Sequence, residues 1–251
     1  MPNIHPTAVI SPGAQIAPDV TIGPYSVVED SVVIGPGTQI GPHCVIHPFV
    51  RLGSGNHLHA QVVLGGLPQD TSFAGGETWI EIGDENIFRE NCTVHRSTNP
   101  DLPTRIGHRC YLMCYSHVAH DCQLGNDVML TAYVGLSGHI EIGDGANLGG
   151  HVGTHQHIRI GSLSMVAGYT PVRKDVIPYC LLGGEPVRHY RLNSIGLRRA
   201  GIRGERYARL EQAYRQLKAG EPAENLHGTP EVELLRDWML APSRRGIYGF
   251  L

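Results

Sequence analysis

The chain has 251 residues with 32 Gly and 17 Pro, aromatics at only 6%, and a formal net charge of −3. That length holds one large domain, or a domain with a small appendage. The scarcity of aromatics beside abundant turn formers argues against a layered globular core and suits stacked short strands joined by tight turns. No stretch approaches the apolar length of a membrane span, and Met1-Pro2-Asn3 opens no signal peptide, so a cytoplasmic protein without a transmembrane segment is expected.

From the first residues onward the dominant signal is a repeat. Aliphatics fall six apart at Ile4, Ile10, Ile16, Ile22, Val28, Ile34, Ile40, Ile46, Leu52, Leu58 and Leu64. The phase returns at Ile82, Phe88 and Val94, and runs again from Ile106 through Leu112, Val118, Leu124, Leu130, Leu136, Ile142 and Leu148. Thr154 breaks the aliphatic rule before Ile160, Val166 and Val172 restore it. A helix needs apolar spacings of three and four, so a period of six excludes one. It predicts a parallel β-helix in which three hexads make a coil and each coil rises by roughly 4.8 Å. Cys44, Cys92, Cys110 and Cys122 all take the fifth place of a hexad, where a small inward side chain fits; no CxxC pair suggests a metal or disulfide pattern.

Two segments, 65–78 and 97–104, lose the hexad and become Gly-, Pro- and Asn-rich; both are expected to be loops on one side of the stack. The first carries Gln69-Asp70-Thr71-Ser72-Phe73. Beyond Val172 the grammar changes. Helices are expected over Leu192–Ala200, Arg203–Ala219 and Glu231–Met239, with a packing stripe at Leu210, Ala213, Tyr214 and Leu217. The division expected is a β-helix over 1–186 with two inserted loops, followed by a small helical domain over 187–251. Charge follows that division. Residues 1–172 hold six Lys/Arg against fourteen Asp/Glu, while residues 173–251 hold fourteen against nine. A basic helical patch can be a solvated face or can draw an acidic partner.

Of the fifteen histidines, several crowd into residues 117–157. Eighteen residues per coil stacks the hexads that begin at Val118, Leu136 and Thr154, so His120, His139 and His155 are expected to climb one face, with His117 just before the column and His157 at the same hexad position as His139, 18 residues beyond it. His151 and His108 belong to other faces. Such a column suits a general base, because imidazole titrates near neutrality, and Asp121 stands ready to orient His120. Adjacency alone does not ensure that contact, since successive strand side chains point apart. Zinc ligation by stacked imidazoles is the other chemistry open to the column, although no metal-ligand spacing motif is present.

The stretch His117-Val118-Ala119-His120-Asp121-Cys122 resembles the signature of the UDP-N-acetylglucosamine O-acyltransferase family of lipid A biosynthesis, within the hexapeptide acyltransferases. The resemblance continues through Gln69-Asp70, Ile82-Gly83-Asp84, Val94-His95-Arg96, Ser137-Gly138-His139 and His155-Gln156. It reaches Asn193, Gly196-Leu197-Arg198-Arg199 and Ser243-Arg244-Arg245-Gly246-Ile247, nearly the whole chain. It implies a left-handed β-helix, a homotrimer with sites between neighbouring solenoids, and transfer of a 3-hydroxyacyl group from acyl carrier protein to the 3-hydroxyl of UDP-N-acetylglucosamine. No cofactor, metal or nucleic acid is implied.

By the same resemblance His120 is the general base, Asp121 its support, and the Gly138 N–H an oxyanion donor. Asp70, His117, His139, His155 and Gln156 match positions that bind the sugar nucleotide or acyl chain. Asn193 and Arg199 match contacts to the nucleotide or the phosphopantetheine arm, and Gly168 matches a position that limits acyl length. Ser72 stands where the family often has Lys, and Ile195 and Ala200 replace polar or basic residues, which bears on acceptor recognition. A UDP-3-amino sugar acceptor, a sibling hexapeptide acyltransferase, a metal-dependent hydratase and a non-enzymatic scaffold are the competing readings.

Overall fold

The computed structural model describes all 251 residues. Each hexad contributes a strand of two to four residues, and every third strand pairs in parallel with the one a coil away, so three sheets run the length of the stack. The second sheet carries the histidine-rich hexads. It includes Thr93–His95, His117–Val118, Gly135–Leu136, Gly153–Thr154 and Pro171–Val172, paired in that order. Coils advance by eighteen residues (Val118 opposite Leu136), except where an insertion lengthens them, as with Val50 opposite Ile80 and Val94 opposite Val118. The architecture is a parallel β-solenoid that ends in helices.

The hexad works because its first and fifth residues both point inward. Val118, Leu136 and Ile142 fill first places; Val62, Val128 and Cys122 fill fifth places, all buried in one continuous apolar core. The four fifth-place cysteines are buried, and burial raises their thiols, to about 11 for Cys44, Cys92 and Cys110 and about 12 for Cys122. They are therefore core residues and not nucleophiles. Between the inward places the chain must turn sharply, and the fourth residue takes the left-handed conformation, as at Asp121 (φ 62°), His139 (φ 60°) and His157 (φ 60°).

Past Val172 a hairpin of Cys180–Gly183 and Arg188–Leu192 closes the stack by antiparallel pairing. Three helices follow: α1 (Ser194–Arg199), α2 (Gly204–Lys218) and α3 (Pro230–Leu240). Helix α1 starts where it does because Asn193 caps it, its Oδ1 accepting from the Gly196 N–H at 3.1 Å. The α2 stripe of Leu210, Ala213, Tyr214 and Leu217 packs with Leu197, Val232 and Leu235 into a second apolar cluster. That cluster also draws on Ile177, Tyr179 and Cys180, so the helices grip the last coil instead of hanging from it. None of the helices is long and apolar enough to cross a membrane.

Candidate active site

At the corner where the chain leaves the second sheet, place within the hexad decides which side chains meet. His120, Gly138 and Gln156 hold the third place of stacked hexads in successive coils; Asp121, His139 and His157 hold the fourth. Because Asp121 sits at the left-handed turn, its carboxylate swings back beside its neighbour. His120 Nδ1 lies 2.6 Å from Asp121 Oδ2, with the two side chains 2% and 4% exposed. A carboxylate accepts, so Nδ1 carries the proton and Nε2 is left as the imidazole's free lone pair.

Asp121 is strongly solvated by the chain itself. Burial alone would raise its carboxyl, but hydrogen bonds from Ser97, His120 and Thr98 outweigh that and hold it below the usual carboxylate value. His139 Nε2 lies 3.6 Å from the same oxygen, its ring nearly perpendicular to His120 at 5.3 Å and stacked on His157 at 4.4 Å. Burial lowers the pKa of His139, opposed by the neighbouring Asp121. His117 is driven down to about 4 by burial, then by His95 and His120, and its Nδ1 is 2.8 Å from Thr93 Oγ1. It is thus a neutral polar group at working pH.

Gly138 completes the pair. A Cβ built on it would fall 2.4 Å from His120 Cε1 and 2.7 Å from Nε2, so only glycine lets the imidazole lie there. Its carbonyl accepts from the His157 N–H at 3.2 Å, while its own N–H donates to nothing within the chain. His120 and Gly138 open onto one cavity of about 400 Å³, also lined by Gln69, His117, Thr154 and Gln156. Its floor includes Gly135 and Gly153, where an added Cβ would meet no atom within 4 Å. An uncommitted imidazole nitrogen beside an uncommitted N–H in a polar cleft is the equipment for taking a proton and stabilising an oxyanion.

The structure departs from the expected column. His155 is exposed and reaches only towards the Gln156 carbonyl, at 3.4 Å; it does not stack on His139. His120, His139 and His155 occupy the third, fourth and second places of their hexads, so their side chains leave the corner in different directions. The histidine that continues the stack is His157. Asp70 lies in the loop of residues 65–78, where it accepts from the Ser72 N–H (2.8 Å) and hydroxyl (2.7 Å); those bonds lower its pKa. Ser72 is therefore a partner of Asp70. Asn193 and Arg199 do not line the cavity: the first caps α1 and donates to the Leu163 carbonyl, and the second is exposed on the last turn of α1. Gly168 sits on the corner that leads into Pro171–Val172, three coils beyond His117–Val118 in the same sheet. Strand spacing puts that about 14 Å along the axis.

Residues that the sequence did not place at this corner complete it. Ser97, Thr98 and Thr104 bond Asp121, Arg244 Nη1 lies 3.2 Å from His157 Nδ1, and Arg245 Nε donates to the Gln156 carbonyl at 3.0 Å. The hexad break at residues 97–104 was the available signal for the first three.

His120, Asp121 and His139 also bring three ligand-type atoms within 4.8 Å of one another. Neighbouring ligands on a tetrahedral zinc lie about 3.3 Å apart, as follows from bonds of about 2.0 Å. The 2.6 Å between His120 Nδ1 and Asp121 Oδ2 is instead a shared-proton distance, and the remaining lone pairs of Asp121 face hydroxyl and amide donors. This arrangement suits a hydrogen-bonded dyad and not a metal centre.

Comparison with known proteins shows the family. The family model described as "Udp N-acetylglucosamine O-acyltransferase; Domain 2" matches residues 175–248, and that of the bacterial transferase hexapeptide matches 31–66 and 103–138. The acyl-[acyl-carrier-protein]--UDP-N-acetylglucosamine O-acyltransferase of Paracidovorax citrulli is 46% identical over 98% of this chain and 99% of its own. Its namesake from Syntrophobacter fumaroxidans is 40% identical over 97% and 98%. Among solved structures, the UDP-N-acetylglucosamine O-acyltransferase of Moraxella catarrhalis superimposes with a TM-score of 0.90 at 36% identity over 98% of this chain and 99% of its own. The acyltransferase of Campylobacter jejuni gives 0.92 at 31% over 99% and 100%.

Proposed function

The chain belongs to the UDP-N-acetylglucosamine O-acyltransferase family, and from that premise we propose that it moves a 3-hydroxyacyl group from acyl carrier protein to the 3-hydroxyl of UDP-N-acetylglucosamine, a step of lipid A biosynthesis. The observation that carries the reading is the buried His120–Asp121 pair beside the free N–H of Gly138 on one cavity.

In this reading His120 Nε2 takes the proton of the sugar 3-hydroxyl as its oxygen attacks the thioester carbonyl. Asp121 holds the imidazole in its Nδ1–H form and stabilises the imidazolium that results. Charge developing on the carbonyl oxygen meets the Gly138 N–H, a donor of a kind worth about 3–4 kcal/mol to a transition state. Collapse of the tetrahedral intermediate forms the ester and expels the phosphopantetheine sulfur, which takes the proton that His120 holds. The thioester is already activated, so the chemistry calls for no cofactor.

Asp70, His117, His139, His155 and Gln156 bind the sugar nucleotide or acyl chain in this account; Asn193 and Arg199 contact the nucleotide or the carrier's arm. The acyl chain runs along the glycine floor towards Gly168, whose lack of a side chain leaves room for a long one. Acyl carrier protein, which is acidic, is drawn to the basic segment from Arg188 to Lys218, where nine basic residues face two acidic ones. The resemblance implies a homotrimer, and the open side of the glycine floor leaves room for a neighbouring solenoid to supply the second wall. The reading places the enzyme in the cytoplasm, with the β-helix of residues 1–186 carrying the chemistry and residues 187–251 receiving the carrier.

The test is acyl transfer from a panel of 3-hydroxyacyl carrier proteins to UDP-N-acetylglucosamine, run beside its 3-amino analogue. An ester at the sugar 3-oxygen is expected, with one chain length preferred. Acylation of the amino analogue alone would change the acceptor, and no product from either would overturn the reading.

A further inference from the structure

Asp121 is held by more donors than the orientation of one imidazole requires. Its Oδ1 accepts from the Ser97 hydroxyl and from the Thr98 N–H at 3.0 Å; its Oδ2 accepts from the Thr98 hydroxyl at 2.8 Å as well as from His120. Its own N–H donates to Thr104 Oγ1 at 2.8 Å. Ser97 is fully buried, and its oxygen also accepts from the Asn99 N–H at 2.9 Å, which ties the start of the loop to its own side chain. Apart from His120, every one of these partners comes from residues 97–104, the second break in the hexad rule. A solenoid corner has no need of an insertion in order to turn; those at Tyr133, His139 and His157 manage with one left-handed residue.

The arrangement has a chemical consequence. A carboxylate with a single partner can rotate, and a neighbouring imidazole is then free to present either nitrogen. With both oxygens anchored by the loop, only one lone pair faces His120, and it faces Nδ1. We propose that Ser97 and Thr98 are positioning residues that lock the Asp121 carboxylate and thereby keep His120 in the Nδ1–H tautomer, with Nε2 bare towards the cavity. This rests on the reading of His120 as the base. It assigns the second insertion a part in proton transfer in place of, or beside, contact with substrate.

The test combines kinetics with nitrogen-15 NMR of histidine-labelled protein at about pH 8, above the ordinary imidazole range, the His120 signals being assigned by their loss in His120→Gln. Wild type is expected to show a single Nδ1–H tautomer. The double variant Ser97→Ala/Thr98→Val is expected to show a tautomer mixture and a kcat lower by about 30-fold, with KM for both substrates within about twofold. Thr98→Ser keeps the hydroxyl and should hold kcat within about threefold of wild type. If the double variant does not fold, Thr98→Val alone is expected to show a smaller shift in the same direction. A folded variant with an unmoved tautomer overturns the proposal, as does a loss that Thr98→Ser shares. Turnover surviving in His120→Ala would instead sink the base assignment, and the tautomer result separates that failure from this one.

Discussion

At the corner that leads into the second sheet, Tyr115, Tyr133, His151 and Tyr169 take the fourth place of stacked hexads in successive coils with φ between 58° and 61°. At the corner that leaves it, Asp121, His139 and His157 take the same place with φ of 60° to 62°. Both corners stack rings: 4.9, 4.8 and 4.6 Å between centroids on the first, 4.4 Å between His139 and His157 on the second. The difference lies in what covers them. Tyr115 is 52% exposed and Tyr169 77%, whereas Asp121 is 6% exposed beneath residues 97–104, with the C-terminal Arg244 and Arg245 against its neighbours. The repeat supplies a ladder of outward side chains at every corner. Only at the second corner do non-repeating segments bury one rung and surround it with hydrogen-bond donors.

The sharpest way to break the second corner is Gly138→Ala, since its Cβ would land on the His120 ring. Turnover should fall by about 10³-fold with the fold retained, because base and oxyanion donor are disturbed together. Turnover near wild type would show that the imidazole does not work from this position.

Acid should weaken the join between the solenoid and its helices before it touches the coils. His189 is fully buried, with Nδ1 3.0 Å from the Tyr248 carbonyl and Nε2 accepting from the Ile177 N–H at 3.1 Å, so it is held neutral. Burial lowers its pKa to about 4, against the opposing pull of the Tyr248 and Gly249 backbone. The unfolded imidazole titrates near 6.5, so between those values the unfolded chain binds more protons. Stability is full above about pH 6.5 and is lost as pH falls towards 4, with His117 adding to the trend. Thermal melts at about pH 5 should lie several degrees below those at about pH 7. In His189→Gln that gap should narrow, and an unchanged gap would remove His189 from the account.

The smallest effect belongs to the first corner. Tyr115→Ala removes one stacked, half-exposed ring and should cost about 1 kcal/mol in chemical denaturation. The pH dependence of turnover should not move; a shifted profile would mean that this corner, too, tunes the reaction.

Legibility in the sequence divides along the same line. The solenoid is readable because one inward aliphatic every six residues allows no helix and little freedom of register. The helices are readable to within two residues at each end, and α1 begins late at Ser194 because Asn193 caps it. The hairpin of Cys180–Gly183 with Arg188–Leu192 is not, since it follows no hexad and its second strand lies in the part expected to be helical. At the site, His120 and Asp121 stand out in the sequence, but their contact depends on a left-handed residue that adjacency does not reveal. His155 falls outside the stack because membership of a stacked hexad is not enough; the place within the hexad sets the direction of the side chain. Ser97 and Thr98 lie in a hexad break that the sequence shows, but their meeting with Asp121 is not readable, for it spans 24 and 23 residues that include an insertion of no fixed register.

Whether one buried imidazole takes the proton of the acceptor hydroxyl is decided by His120→Ala assayed beside wild type with a matched 3-hydroxyacyl carrier protein and UDP-N-acetylglucosamine. A folded protein with kcat/KM lower by about 10³-fold or more is expected. A folded His120→Ala protein that turns over at the wild-type rate would contradict it.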